Sequence, residues 1–347
     1  MKVLINNISI RAIGSYLPEE SFEMSSLAEN YGEKEVDNII RATGVERVRI
    51  AACDETSSDM CYKAAEYLLV QEGIDRSEID GVVFVSQTTD YILPATSIIL
   101  QDRLHLSKET VCIDIHYGCS GFIYGLYQAA LWISSGACKN VLVLAGDTTS
   151  RMIHPLDRSL KMVFGDAGTA TLVSAGTKQI GISLCSDGSG YDRLIVPAGG
   201  FRMPVSDITN KIEFDIDKNG RTLENLYMDG MAIFNFAISN VHKNIQGLLD
   251  YVGWDKNDIN MFALHQANYF MVNYIRKRLK VEESKVPINV QNVGNTGPAT
   301  IPLLFSELVP EPENVQKVIM SGFGVGLSWG SIAVEMSDTH FYKPVNI

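Results

Sequence analysis

A chain of 347 residues, 46% hydrophobic and 20% charged, can bury a core large enough for two domains or one large one. Its formal net charge of −12 argues against nucleic acid as the main partner, because neutralising phosphates takes clustered Lys and Arg. No apolar run approaches the roughly 20 residues that span a bilayer, and Met1–Arg11 lacks a signal-peptide cleavage pattern.

Taken in chain order, the alternating apolar residues of Met1–Arg11 read as a first strand. Short runs rich in β-branched residues follow at Val82–Ser86, Thr110–Asp114, Val141–Ala145 and Thr169–Ser174, with helical patterns between several of them. That alternation predicts an α/β fold with mostly parallel pairing. Phe122–Ile133 is apolar on nearly every face, so it reads as a buried helix, with Gly136 as its stop. The cysteines Cys53, Cys61, Cys112, Cys119, Cys138 and Cys185 show no CxxC pair and no metal-ligand spacing. A cytoplasmic protein with reduced thiols, no metal and no membrane contact is the expectation.

The chain also resembles itself. Ser77–Asp80 leads into an apolar strand, a polar turn at Gln87–Asp90 and a helix ending near Leu104. Asn257–Asn260 leads into Met261–Leu264, a polar turn at His265–Asn268 and a helix ending near Leu279. A small-residue loop comes next in each case, Gly118–Gly121 and Gly294–Gly297, then a helix and a strand at Val141 or Val318. The loop-to-strand offsets agree to within one residue. Two duplicated α/β halves, 1–175 and 176–347, are the economical reading, and a chance run of common βαβ units is the alternative.

Ligands gather outside the carboxyl ends of strands in open α/β sheets. Cys119, His265 and Asn295 all fall in loops just after predicted strands. Cys119 sits in Ile115–Phe122 where a strand meets a buried helix, and glycines flank it on both sides. A helix start supplies unpaired amides and a favourable dipole, which are expected to lower a thiol pKa and favour the nucleophilic thiolate. Cys112, inside a strand, reads instead as a small core residue. His265 alone would pass for a structural histidine at a strand end, and Asn295 alone for a turn residue. Their combination with Cys119 is what points to chemistry.

In this order and spacing Gly118-Cys119-Ser120-Gly121-Phe122, Leu264-His265-Gln266-Ala267-Asn268 and Gly294-Asn295-Thr296 resemble the three active-site motifs of the β-ketoacyl-acyl-carrier-protein synthase III family. The similarity continues at Ile13–Pro18, Thr43-Gly44, Arg49–Ala51, Leu93-Pro94, Asp157–Ser159, Phe164–Asp166, Met228–Gly230, Phe234–Ala237 and Gly322–Gly330, so it covers nearly the whole chain. The resemblance implies a thiolase-like five-layer αβαβα fold of two duplicated halves, assembled as a homodimer. It implies an acyltransferase in fatty-acid-type biosynthesis with Cys119, His265 and Asn295 catalytic and an oxyanion hole from the backbone amides of Cys119 and Gly326. Acyl-CoA or acyl-carrier-protein and malonyl-carrier-protein would be substrates, acyl carrier protein a partner, and no tightly bound cofactor is expected.

Several positions depart from the family pattern. A tryptophan and an arginine that hold the coenzyme A adenine in well-known members align with Asn38 and Ala42, whereas Arg158 retains a second arginine of that clamp and is the expected CoA or phosphopantetheine contact. Leu93 replaces an aromatic residue that shapes the acyl pocket from the neighbouring subunit. Phe270 stands where a carrier-protein-docking arginine is common, so docking is expected to fall to Arg276, Lys277 and Arg278, with Lys280 beside them; the bland reading of that run is the solvated face of a helix. A thiolase-fold acyltransferase or specialised-metabolite condensing enzyme with another donor or acceptor is the runner-up. A Cys-His-Asn hydrolase fits poorly, because such proteases place the cysteine near the start of the mature chain. A catalytically silent partner subunit fits poorly because all three reactive residues are present.

Overall fold

The computed structural model describes residues 1–346. In chain order the main elements are strand β1 (Lys2–Tyr16), helix α1 (Glu33–Thr43), helix α2 (Ser57–Glu72), strand β2 (Gly81–Val85), helix α3 (Thr96–Arg103) and strand β3 (Val111–Ile115). Helix α4 (Gly121–Ser134), strand β4 (Asn140–Asp147), strand β5 (Ala167–Ser186) and helix α5 (Gly230–Val252) follow. The remainder is strand β6 (Met261–Leu264), helix α6 (Tyr269–Leu279), helix α7 (Thr300–Leu308) and strands β7 (Val318–Gly324), β8 (Ser328–Val334) and β9 (His340–Phe341).

Local signals set many of these boundaries. Thr56 and Asp59 form a reciprocal capping box at the start of α2, and Asp229 and Asn268 cap α5 and α6 by accepting the N–H of Ala232 and Met271. Helix α4 stops just before Gly136, as its sequence suggested.

The two halves are visible in the strand pairing. On one side β2 lies parallel to both β3 and β4, β4 is antiparallel to the first part of β5, and that part is antiparallel to the end of β1. On the other side β6 is parallel to β7, β7 antiparallel to β8, and β8 antiparallel to the last part of β5. The run of parallel, antiparallel and antiparallel neighbours is thus repeated. Pairing is mixed, not mostly parallel as the alternating elements suggested. Long strands shared by both sheets impose the antiparallel steps.

Strand β5 is far longer than the Thr169–Ser174 run predicted. Its Ala167–Ser174 stretch pairs with β4 and its Gly181–Ser186 stretch with β8, while β1 follows it through both sheets with register shifts around Ile8. Position 175 falls inside this strand, where alternate residues become exposed as it passes from one sheet to the other.

Alternation along the strands builds the layers. Val83, Val85, Val141, Val143, Met261, Ala263, Val318 and Met320 face a shared middle layer with α4 and α7 residues such as Phe122, Leu126 and Phe305. Val82, Phe84, Leu142 and Leu144 face the opposite way, onto α2 and Leu100 of α3. Phe262, Leu264 and Ile319 pack on α5 and α6. The result is helix, sheet, helix, sheet, helix. Helix α4 begins beside the strand-end loop that carries Cys119, and α7 beside the loop that carries Asn295, which follows a short helix (Val290–Val293) and not the strand that the sequence suggested. No helix among the described residues is long and apolar enough to cross a membrane.

Candidate active site

Cys119 follows the turn that ends β3 and lies two residues before the first residue of α4. Its side chain is 7% exposed and lines a cavity of about 850 Å³ together with Gln87, Phe164, Gly297, Val325 and Gly326. The far wall comes from the other half. A Cβ added at Gly324 would sit 2.7 Å from both Cβ and Sγ of Cys119, so only glycine lets the end of β7 lie against this thiol. Ser120 Oγ and Ser328 Oγ, 2.6 Å apart, tie the start of α4 to the start of β8.

Burial pushes the Cys119 thiol up to about 11, and the Val325 backbone N–H, hydrogen-bonded to the sulfur, works in the opposite direction. This corrects the expectation of a lowered pKa. Removal from water outweighs the amide and the helix start, so the resting group is a thiol. Alkylation of Cys119 by iodoacetamide should therefore rise about tenfold per pH unit from pH 7 to 10, as the thiolate fraction does below its pKa. Peptide mapping of the alkylated protein measures it, and a rate already flat at neutral pH would show that the thiolate is the resting form.

His265 directly follows β6. Its backbone N–H donates to Ser321 O at 2.8 Å, its ring meets Phe323 edge-on at 5.4 Å, and Nδ1 lies 2.7 Å from Thr300 Oγ1. Phe323 is the neighbour of Gly324, which links His265 to the cysteine wall. Burial drops the His265 pKa to about 3, so the ring is neutral across the physiological range. Asn295 is also buried. Its Oδ1 accepts the Gly297 N–H at 3.1 Å, and its backbone is clamped between Val163 O and the Gly165 N–H. With Oδ1 engaged, the side-chain NH2 has no hydrogen-bond partner among the described residues and remains free to donate. The Cys119 and Asn295 loops thus reach one cavity built from both halves, through Cys119 and Gly297, and His265 stands behind it in contact with Phe323 and Thr300.

Other sequence-chosen residues fall differently. Gly326 lines the cavity beside Cys119. Leu93 is exposed and does not line its own chain's cavity, whereas its neighbour Ile92 does. Arg158 lies 3.4 Å from Glu35 and stacks over the Tyr31 ring at 5.4 Å, so its charge is partly engaged. Asn38 and Ala42 are exposed, one turn apart on α1. Phe270 is exposed and stacks on Phe234 at 5.3 Å.

The basic run is not at the cavity. Helix α6 starts next to Gly44 and ends where Lys256 Nζ donates to Leu279 O, just before β6 begins, so it runs back along the strand that delivers His265. At about 1.5 Å per residue, Arg276, Lys277, Arg278 and Lys280 lie some 10–16 Å back from the helix start, at the far end of the sheet. Arg276 is further occupied by Asn273 Oδ1, Val281 O and Glu283. Connectivity put these cations near His265 in sequence; helix direction separates them in space.

Two contributors escaped the sequence. Thr300 gave no signal, since a hydroxyl at a helix start reads as an ordinary cap. Asp147 ends an apolar strand, and that isolated charge was a usable sign. Its buried Oδ1 accepts from Ser86, Gln87 and Thr88, and burial raises its pKa to about 7 against those hydrogen bonds. It braces the turn after β2, whose Gln87 lines the cavity.

The pattern of a family described as 3-oxoacyl-[acyl-carrier-protein] synthase III matches residues 113–188, and that of its C-terminal part matches residues 249–336. The chain is 33% identical to the beta-ketoacyl-[acyl-carrier-protein] synthase III of Caldanaerobacter subterraneus, covering 94% of this chain and 97% of that one. A solved 3-oxoacyl-(acyl-carrier protein) synthase from Burkholderia xenovorans LB400 superposes with a TM-score of 0.91 at 34% identity, over 100% of this chain and 99% of that one. The priming beta-ketosynthase of the R1128 polyketide biosynthetic pathway superposes with a TM-score of 0.80 at 26% identity, over 96% and 97%.

Proposed function

The chain belongs to the 3-oxoacyl-[acyl-carrier-protein] synthase III family of condensing enzymes, and we propose that Cys119 carries the acyl group while His265 and Asn295 drive decarboxylative condensation on it. Membership makes it an acyltransferase of fatty-acid-type synthesis, with acyl carrier protein as substrate partner. One observation carries the division of roles: the buried Cys119 thiol lines the cavity with Gly297 of the Asn295 turn, and the neutral His265 imidazole is tied to that same turn through Thr300.

In the first half-reaction the Cys119 sulfur attacks a thioester carbonyl, the bond from that carbon to the donor sulfur breaks, and the thiol proton ends on the departing donor sulfur. The tetrahedral oxyanion is held by the backbone amides of Cys119 and Gly326. His265, with its pKa near 3, is a poor base for a thiol near 11, so its work lies in the second half-reaction. There malonyl-carrier-protein loses carbon dioxide, and the electron pair left behind forms an enolate. Imidazole and carboxamide N–H groups donate to its oxygen, and the carbanion carbon attacks the acyl-cysteine, releasing the thiolate. Acyl-CoA or acyl-carrier-protein supplies the first acyl group, malonyl-carrier-protein the second substrate.

A second copy of the chain completes this reading. Tyr91, Ile92 and Leu93 are exposed, and so are Val111 and Ile113 on β3, the edge strand of its sheet. A homodimer closed over that edge would cover them and bring Leu93 towards the partner's acyl pocket.

The donor is the point of specificity. Asn38 offers no aromatic face, Ala42 no charge, and Arg158 is paired with Glu35, so the rim holds a nucleotide weakly. One lost aromatic or cation contact is worth roughly 0.5–2 kcal/mol, or several-fold to tens-fold in affinity. Preference for acyl-carrier-protein over the matching acyl-CoA by that margin is expected. Intact-mass spectrometry after incubation with both donor panels, followed by malonyl-carrier-protein and product analysis, checks it. A β-keto product on the carrier supports the reading; acylation of Cys119 with no condensation points to a specialised acyltransferase with another acceptor. Equal or better acylation by acyl-CoA would remove the donor preference alone.

A further inference from the structure

Thr300 opens α7, whose preceding turn carries Asn295. Its Oγ1 lies 2.7 Å from His265 Nδ1 and 3.1 Å from the Gly297 carbonyl, and both side chains are buried. A hydroxyl has one hydrogen and two lone pairs, so it cannot donate to both. If its hydrogen points at Gly297 O, Nδ1 must carry the ring proton and Nε2 is bare. If it points at Nδ1, the ring proton sits on Nε2. These alternatives give His265 opposite faces towards substrate, an acceptor in the first case and a donor in the second.

Two features favour the donor. The contact to the imidazole is the shorter one. In addition, the Gly297 carbonyl already accepts the Thr300 backbone N–H, so it keeps a partner when the hydroxyl turns away. Nδ1 is bonded to Thr300 in either arrangement, and its 2.7 Å contact is ordinary for an O–H donor but short for an N–H donor.

We propose that Thr300 is a positioning residue that holds His265 in the tautomer with its hydrogen on Nε2, aimed to donate to the enolate oxygen. The inference rests on the reading of His265 as an enolate donor. Thr300 does not touch substrate; it acts through the ring. Its effect therefore belongs to decarboxylation and not to acylation of Cys119.

Thr300→Val keeps shape and removes the hydroxyl, and Thr300→Ser restores it without the methyl group. Decarboxylation of malonyl-carrier-protein should fall roughly tenfold in Thr300→Val with KM nearly unchanged, the size expected for losing one orienting hydrogen bond. Thr300→Ser should recover most of that rate, and acylation of Cys119 should match wild type in both. A merely structural role would instead lower both half-reactions together. Nitrogen-15 NMR of histidine-labelled protein, with the His265 signals assigned by their loss in His265→Asn, reads the tautomer directly. Hydrogen on Nε2 in wild type and a mixture in Thr300→Val are the expected spectra. Hydrogen on Nδ1 in wild type, or normal decarboxylation by Thr300→Val, would overturn the role of Thr300 while leaving that of His265 intact. Normal decarboxylation by His265→Ala would instead overturn the donor reading itself, and this inference with it.

Discussion

Cys119→Ala is expected to abolish acyl-enzyme formation with every donor, leaving no adduct by intact-mass spectrometry. The other thiols cannot replace it. Cys61 and Cys138 are packed in hydrophobic cores, and Cys112 and Cys185 lie in β3 and β5. Cys53 is exposed but does not line the cavity. Cys119 alone combines a cavity position with an amide, that of Val325, directed at its sulfur. Cys119→Ser should be acylated only poorly, because a hydroxyl is far less ionised than a thiol near neutral pH. The substitution to alanine removes one sulfur from a packed wall, so the fold should survive and the loss should be chemical. Wild-type acyl transfer in the alanine variant would remove Cys119 from the mechanism.

His265→Ala and Asn295→Ala should each slow decarboxylation of malonyl-carrier-protein by about 10²–10³, the usual effect of losing one donor to a developing oxyanion. Acylation of Cys119 should persist in both, because neither side chain is needed to form the thioester. Release of labelled carbon dioxide, measured beside acylation, separates the two steps. Variants that decarboxylate normally but fail to acylate would reverse the roles assigned here. The wild-type decarboxylation rate should also show no titration of His265 between pH 5 and 9. A folded-state pKa near 3, lowered by burial, leaves the ring neutral throughout that window, and only below it would the ring gain a second proton.

The residues proposed to react stand out in the sequence because each sits in a short loop with a strong local pattern. Glycines on both sides of Cys119, an apolar strand before His265 and a small-residue turn around Asn295 are features of a few adjacent residues. Repetition of the same units also showed the duplication. What lay beyond sequence depended on direction and on neighbours far along the chain. Strand β5 looked like a six-residue run, since its exposed middle resembles a loop until β1 is seen pairing along it through both sheets. Lys277 and Arg278 looked close to His265, but α6 runs away from the cavity, and only packing against α5 and β6 decides that direction. The protonation states were the least accessible of all. The helix start at Cys119 argued for a thiolate, yet the walls contributed by Gly324 and Val325, some two hundred residues later, take the sulfur out of water. Desolvation is set by every atom surrounding a group, so it belongs to the tertiary structure, whereas the identity and order of the groups proposed to react belong to the sequence.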